Sequence, residues 1–452
     1  MPALEQGTTI RGPVTTNTRD EMNKRASKRR TLYRELPLDK SPIAKIAMQQ
    51  ASRRPINRVV HDWAQQRFNP RQGDVSRFYN DAQLSSAYNA GSADAGEALY
   101  MKLPNRDVAK QLKRFQQLLI HHIDSDHVVK EVMVDVQEVV VATNDTSYAV
   151  VELLEDDDDV LNQSSGLTWR ISSNAQSELS GLPDETYEEP IWTQNVTQIF
   201  MESLAVSGSE VAEETAEELD DTMLTRKRFQ THDALMMDVE RSVLFGRFKR
   251  GTGPNGRRRN MMRGLKTAMK EHSTDLIMNF PRLNAYAGGS WLEKGWDFIK
   301  DVMLDSSRYS GNEKYVWCGD LALRAINDMI EEETNIQIGP THTDGFGIRV
   351  RTIYGLNTTL HLHNHVLFST DPAYRRSAFV FEPALISLLP LRGRDIQYLT
   401  SDQARRRTEN GWTWLDGFKE GWYGELTLEY DNLAAMRWLD GLGLDNTLTA
   451  SP

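Results

Sequence analysis

The chain has 452 residues, of which 39% are hydrophobic and 26% charged, and its formal net charge is −11. This composition excludes a fibrous or wholly disordered protein, and the length suggests about three domains of ~150 residues each. No apolar run reaches the ~18 residues that a membrane span needs, and the first residues lack the apolar core of a secretory signal. A single cysteine, Cys318, excludes an internal disulfide and a cysteine-based zinc site.

The N-terminal segment is basic. Residues 1–71 hold 15 Lys and Arg against 6 Asp and Glu, a net charge of +9 that leaves −20 on the rest of the chain. A basic arm on an acidic body predicts electrostatic contact between copies, with the arm of one copy lying on its neighbour. A solvated, disordered tail is the alternative. Apolar residues at helical spacing predict helices over about 19–35 and 42–66.

Residues 128–154 change to the pattern of β-strands. Valine-rich runs break at Asn144 and Asp145 and resume at Tyr148, which predicts a small β-rich module. The module ends in the acidic run 155–159, followed by a polar stretch that reaches Pro190 and predicts an exposed tip. Because the acidic run lacks the spaced ligands and the glycine of a calcium loop, we expect it to be solvated.

One long helix is predicted next, ending at Phe245, because Phe229, Met236 and Val243 are seven residues apart. Arg241 and Arg247 suit the negative end of the helix dipole, and glycines follow as stop signals. The acidic residues that lead into the helix are Glu217, Glu218, Asp220 and Asp221.

The last third of the chain alternates helices and strands. Helices are predicted at 291–304 and 320–333, with a short buried strand at 315–318 between them. Further strands are predicted at 348–354, 358–362, 378–381 and 425–430. This pattern is α+β.

Two motifs suggest chemistry. Residues 251–258 have the glycine spacing of a phosphate-binding loop, but Arg257 and Arg258 replace its Lys and Ser/Thr, and the loop follows a helix where the motif follows a strand. Residues 247–263 hold seven basic residues and no acid. We expect this segment to be a solvated loop, with contact to a phosphate backbone or to another subunit as the alternatives.

His361, His363 and His365 alternate, so on a strand their imidazoles would share one face, as in some metal centres. The local sequence offers no carboxylate base, although His342 or a distant acid could approach. We therefore expect an exposed polar face, or histidines satisfied in contacts between subunits, and we expect neither a metal site nor a cofactor. A metalloenzyme that uses these three histidines is the alternative.

The order of elements resembles the Hong Kong 97-type fold of tailed-bacteriophage major capsid proteins: a basic arm, a long β excursion, one long helix and an α+β region closed by strands. The segments that carry the resemblance are TQNVTQIF at 193–200, LAVSG at 204–208, DVERSVLFG at 238–246, VRTIYGLNTTLHL at 350–362, AFVFEP at 378–383 and WYGELTLEYDN at 422–432.

The resemblance implies a division of the chain, with a β-rich module added to the family's minimal form. The expected parts are an N-terminal arm at 1–75, an extended loop with the β-rich module at 76–215, a peripheral domain with a long spine helix at 216–280 and 375–435, an axial domain at 281–374 and a C-terminal tail at 436–452.

The resemblance also implies a function without catalysis. We expect a major capsid protein that assembles in the host cytoplasm, as hexamers and pentamers, into the icosahedral shell around the double-stranded DNA of a tailed phage. Portal, scaffolding and cement proteins are further expected partners, and contact with packaged DNA is expected to be weak and non-specific. An encapsulin-like cellular nanocompartment is the alternative. The residues expected to serve assembly are Arg25, Arg29, Arg30, Phe200, Arg241 and Arg247.

Overall fold

A computed structural model gives the fold. It describes residues 42–50, 54–66, 71–89, 93–124, 127–142, 146–157, 159–176, 178, 181, 189–207, 209, 223–308, 310–332, 337–339, 342–343, 349–355, 358–400, 407–408, 411–412 and 417–448.

The chain contains both helices and strands, which agrees with the predicted mixture of the two. The helices are α1 (Pro42–Gln50), α2 (Arg106–Ala109), α3 (Met223–Phe245), α4 (Leu265–His272), α5 (Trp291–Ser307), α6 (Asp320–Glu332) and α7 (Val366–Thr370). The strands are β1 (Val60–Gln65), β2 (Gln72–Val75), β3 (Arg77–Tyr79), β4 (Ala98–Lys102), β5 (Gln116–Ile123), β6 (Val129–Val140), β7 (Tyr148–Leu153), β8 (Leu167–Asn174), β9 (Ile191–Val196), β10 (Gln198–Ser207), β11 (Lys249–Thr252), β12 (Arg258–Met261), β13 (Ile277–Asn279), β14 (Glu313–Cys318), β15 (Gln337–Ile338), β16 (His342–Thr343), β17 (Arg349–Tyr354), β18 (Thr359–Asn364), β19 (Ala378–Phe381), β20 (Ile386–Pro390), β21 (Gln397–Leu399), β22 (Arg407–Thr408), β23 (Gly411–Trp412), β24 (Gly417–Tyr430) and β25 (Arg437–Asp440).

The chain divides into two compact units, and the smaller one spans Gln66–Ile191. Its centre is an antiparallel sheet in the order β2-β8-β5-β6-β7-β4-β3. Alternate residues of its strands are buried, as in Leu118 and Ile120 of β5 and Val132 and Val134 of β6. This period of two is the pattern of strands with one face against a core. The predicted strands at 128–154 are confirmed as β6 and β7.

Two features of this unit differ from the sequence prediction. The polar stretch after residue 159 contains β8, whose Trp169 is fully buried. Asp157 of the acidic run is only 3% exposed. Its carboxylate accepts hydrogen bonds from the amides of Val160 and Leu161 at 2.8 and 3.1 Å and from the hydroxyl of Tyr88 at 3.1 Å. These donors replace water, so this acid is buried rather than solvated.

The larger unit, Met1–Gln65 with Trp192–Pro452, is built around α3 and two sheets. β24 pairs with β10, β20 and β21 in one antiparallel sheet. The predicted long helix is confirmed from Met223 to Phe245, and its buried residues recur at Leu235, Val239 and Val243. The acidic residues that were predicted to precede it lie outside the described residues.

The second sheet of this unit is mixed, with strand order β13-β25-β19-β14-β18-β17-β15. The residues of β14 alternate between two cores: Tyr315 and Trp317 join the core that also contains α1 and α3, and Val316 and Cys318 join the core under α5 and α6. The predicted buried strand at 315–318 is thus confirmed, and the structure shows that both of its faces are buried. Helix α5 begins at the N-cap Ser290, whose side chain accepts the amide of Glu293.

One helix prediction was wrong in extent. The helix over 42–66 ends at Gln50, and β1 follows. Side chains of β1 bind the end of β24: the indole of Trp63 donates to the carbonyl of Tyr430 at 3.0 Å, and the amide of Gln65 donates to the same carbonyl at 2.7 Å. Pro55 separates the two elements, since proline disfavours helix geometry in the preceding residue.

The alternation in β5 generates a prediction about the smaller unit. Leu118→Ala removes a side chain that is 0% exposed, so the free energy of unfolding should fall by about 2–5 kcal/mol. Ile123→Ala on the same strand is the matched control, because Ile123 is 57% exposed and should change the stability by less than about 0.5 kcal/mol. Urea denaturation measures both; equal losses in the two variants would contradict this burial pattern.

Candidate assembly site

The first turn of α1 is held by a buried carboxylate. Pro42 has no amide proton, so the first free amides of α1 belong to Ile43 and Ala44. They donate to the two carboxylate oxygens of Glu240 at 3.1 and 2.6 Å. A carboxylate at this position also meets the positive end of the helix dipole. Glu240 lies on α3 and is 0% exposed, so the contact fixes the first turn of α1 against α3.

His365 completes the coordination of this carboxylate. Its Nδ1 accepts the backbone amide of Leu367 at 3.2 Å, so the ring proton lies on Nε2, which donates to Glu240 Oε1 at 2.8 Å. His365 is also 0% exposed and caps the N-terminus of α7. One buried carboxylate therefore joins α1, α3 and the start of α7. We call Glu240, His365 and the amides of Ile43 and Ala44 the arm anchor.

This geometry corrects the expectation for the histidine triplet. β18 ends at Asn364, and His365 begins the next helix, fully buried within one copy. The rings of His361 and His363 lie 5.1 and 4.7 Å from those of Tyr315 and Trp317 in the core. The expected exposed polar face is wrong, because these imidazoles pack on aromatic rings. Within the described residues, no group of three or more His, Cys, Asp or Glu side chains is placed to hold a metal.

A groove of about 290 Å³ lies between β10 and α3 and brings two of the predicted assembly residues together. Phe200 and Arg241 both line it. The side chain of Phe200 is 5% exposed and belongs to the core. Because side chains alternate along a strand, those of the two adjacent residues point away from the core. Ile199 and Met201 are 49% and 64% exposed. Among the described residues, β24 is the only strand that pairs with β10, so the other edge of β10 has no strand beside it.

The polar side of the groove contains an ion pair and a third charged group, Glu202, that lies close to its carboxylate. Arg241 Nη1 donates to Asp238 Oδ1 at 2.9 Å, and both side chains are about half exposed. Glu202 on β10 faces the same Asp238. Desolvation, together with the repulsion from Asp238 and a hydrogen bond to it, raises the pKa of Glu202 above its usual range. The groove thus combines exposed apolar atoms with carboxylates close to one another.

The remaining predicted residues are separated from this groove. Arg247 is exposed just beyond the end of α3, at the base of the β11–β12 hairpin. Arg25, Arg29 and Arg30 lie outside the described residues. The assembly roles of all six residues remain predictions.

The sequence interpretation missed Glu240, and it placed His365 on the face of a strand. A signal for Glu240 exists: it lies four residues after Met236 and four before Leu244, on a helix stripe whose other members are buried. An acid at a core position of a helix indicates a buried partner. No pattern in the sequence shows that this partner is His365, 125 residues further on.

Comparison with known proteins identifies the class of this subunit. The model of the family described as SU10 major capsid protein matches residues 15–443. The chain belongs to this family. It is therefore a bacteriophage major capsid protein, a structural subunit that forms a capsid shell from copies of itself.

Solved structures that are similar to this chain include that of Mycobacterium phage Patience, with 9% identity, a TM-score of 0.37 and coverage of 63% of this chain and 79% of that chain. The capsid of Cyanophage P-SCSP1u gives 10% identity, a TM-score of 0.35 and coverage of 60% and 80%. The holo-SrpI encapsulin complex from Synechococcus elongatus PCC 7942 gives 8% identity, a TM-score of 0.34 and coverage of 59% of this chain and 80% of that chain. No curated protein sequence matches the chain. The family assignment rests on the family match.

In the described part of the chain, none of the helices of this capsid protein is both long enough and apolar enough to cross a bilayer.

The arm anchor generates a prediction about this capsid protein. Glu240→Ala leaves the amides of Ile43 and Ala44 and the ring of His365 without their acceptor in a buried place, so the free energy of unfolding should fall by about 3–5 kcal/mol. Hydrogen exchange at Ile43 and Ala44 should accelerate in the same variant.

Asp238→Ala is the matched control on the solvent side of the same helix, where the carboxylate is 48% exposed. Its effect should stay within about 0.5 kcal/mol. Unchanged exchange at residues 43–44 in the Glu240 variant would show that the carboxylate does not hold α1.

Proposed function

We propose that the chain adopts the Hong Kong 97-type capsid fold and builds an icosahedral shell, from hexamers and pentamers, around the double-stranded DNA genome of a tailed phage. The observation that carries this proposal is the family match over residues 15–443. Two features of the larger unit support it. Ile199 and Met201 are exposed on β10, which has one unpaired edge, and the basic N-terminal segment contains α1, which the arm anchor holds against α3.

The proposed division of labour follows the sequence analysis. Residues 1–75 act as the arm, 76–215 as the extended loop with an added β-rich module, and 281–374 as the axial domain. The peripheral domain comprises 216–280 and 375–435 around α3 as spine helix, and 436–452 form the tail. The protein acts structurally and not as an enzyme.

The proposed contacts lie between copies. Arg25, Arg29 and Arg30 bind the acidic surface of a neighbouring copy, and the groove with Phe200 and Arg241 receives another. An apolar strand edge beside exposed Ile199 and Met201 is costly on an isolated subunit, and a second copy removes that cost by covering it.

Further partners follow from a shell assembled in the host cytoplasm. Portal, scaffolding and cement proteins complete the particle, and packaged DNA touches the wall weakly and without sequence preference. The net charge of −11 supports the weak contact, because an acidic wall gains little from phosphate neutralisation.

Imaging of the purified full-length chain tests the proposal. Sedimentation and electron microscopy should show closed, uniform shells with five-fold and six-fold capsomers. A compact monomer that stays soluble at high concentration, even when its neighbouring genes are co-expressed, would contradict it. Closed shells that never take up DNA in infected cells would favour the encapsulin-like alternative.

The arm has its own test. Arg25→Glu, Arg29→Glu and Arg30→Glu together should lower the shell yield, because attraction to an acidic neighbour becomes repulsion, while circular dichroism of the subunit stays unchanged. The charge-preserving triple replacement by Lys should assemble like the parent protein. Normal yield from the Glu variant would remove this role from the arm.

A further inference from the structure

One face of β1 contacts the end of β24 through side chains. His61, Trp63 and Gln65 are two residues apart, so they share a face of the strand. The indole of Trp63 and the side-chain amide of Gln65 both donate to the carbonyl of Tyr430, at 3.0 and 2.7 Å. His61 Nε2 lies 2.5 Å from Glu429 Oε2. The end of β24 therefore receives three consecutive side chains of this face.

β1 and β9 together form a two-stranded ribbon. In the described ranges, each of the two strands pairs only with the other. A two-stranded sheet is marginally stable by itself, so the pairing of the ribbon depends on its contacts with β24. From β9, the amide of Asn195 donates to the carbonyl of Leu428 at 2.8 Å. The smaller unit begins at Gln66 and ends at Ile191, so both of its chain connections continue into this ribbon.

The contact between His61 and Glu429 differs from the others because its charge depends on pH. Histidine is the side chain that ordinarily changes charge between about pH 5 and pH 8. With a cationic ring the contact is an ion pair with a charge-assisted hydrogen bond, and its side chains are only 19% and 27% exposed. The imidazole also stacks on the indole of Trp63, with ring centroids 5.4 Å apart. Because the face of an indole attracts cations, a protonated His61 is attracted on two sides.

A second carboxylate lies next to this ion pair. Asp431 Oδ1 accepts the side-chain amide of Gln65 at 3.2 Å. Desolvation, together with repulsion from Glu429, raises the pKa of Asp431, and the hydrogen bond from Gln65 opposes that rise. Once His61 loses its proton, the two carboxylates repel each other without a cationic imidazole to offset the repulsion.

The other charged groups on the neighbouring elements have partners of their own. Asp62 belongs to the opposite face of β1, and its carboxylate accepts the side-chain amide of Gln194 at 2.8 Å. Arg263 pairs with Glu271 at 3.0 Å and donates to the hydroxyl of Tyr430 at 3.5 Å. The sequences of β9 and β20 contain no charged residue. These interactions do not require the imidazole.

We propose that His61, Glu429 and Asp431 form a pH-sensitive latch that holds the β1–β9 ribbon on β24. The attraction is complete while His61 is cationic, and it is lost as the pH rises through the titration of the ring. The raised pKa of Asp431 acts in the same direction, because its neutral form does not repel Glu429. The ribbon is therefore held more firmly in mildly acidic solution than in mildly alkaline solution. All parts of the latch lie in one copy, so the inference does not rest on shell formation.

Hydrogen exchange of the unassembled, full-length subunit tests the latch. Protection factors, corrected for intrinsic exchange, are compared at about pH 5.5 and about pH 8, on either side of the ordinary titration of histidine. Protection at residues 60–65 and 191–196 should fall about fivefold at the higher pH, because a charge-assisted hydrogen bond is replaced by a neutral one. Residues 313–318, in the buried strand β14, are the internal reference and should not change.

Two substitutions of His61 separate its charge from its shape. His61→Arg keeps a planar cation at every pH used, so the ribbon should stay protected at both values. His61→Gln keeps a hydrogen-bond donor without a charge, so protection should be low at both values. His122→Gln is the matched control, because it removes an imidazole that contacts the carbonyl of Gly166 in the smaller unit. It should keep the parental response to pH.

Two results would overturn the proposal. A His61→Gln variant that keeps the parental response to pH would show that another group causes it. A His61→Arg variant that loses protection at the higher pH as the parent does would show the same. If Arg at position 61 lowers protection at both pH values, Glu429→Gln decides, since the latch requires the response to disappear in that variant too. Neither result changes whether the parent protein forms shells, so the proposed function is tested separately.

Discussion

The hydrogen bonds of the buried Glu240 carboxylate are the interaction on which the larger unit depends. Its burial would be costly without partners, and three donors from two distant parts of the chain supply them. Because the donors are the first amides of α1 and the ring of His365, the carboxylate holds the start of α1 at a fixed place on α3. An apolar residue at position 240 would fill the space without specifying where that segment starts.

The two sides of α3 consequently have different tasks. Glu240, Val239 and Val243 face inward and hold α1 and the core, whereas Asp238 and Arg241 face the groove on β10. The helix ends at Phe245, and the β11–β12 hairpin follows. Helix α3 therefore connects a core that is complete within one copy to the groove beside β10, which we propose another copy covers.

Local periodicity predicted part of the larger unit. The spacing of residues within single segments indicated the end of α3 at Phe245, the buried strand β14, and β19. Features that depend on distant partners were not predicted. The sequence predicts helix over β1, whose partner Tyr430 lies 367 residues after Trp63, and it predicts a strand face for His365, because nothing nearby reveals Glu240. Asp157 was expected in solvent, although two of its donors, the amides of Val160 and Leu161, lie only three and four residues away. The buried partners of Glu240, in contrast, lie far away in the chain.

Hydrogen exchange measured by mass spectrometry on the unassembled subunit and on the assembled shell tests the central claim most directly. We expect residues 42–50 and 236–245 to be equally protected in both states, because the arm anchor is complete within one copy. Residues 198–201 should gain protection only in the shell. Free exchange at 43–44 in the unassembled subunit, or no gain of protection at 198–201 on assembly, would contradict the account.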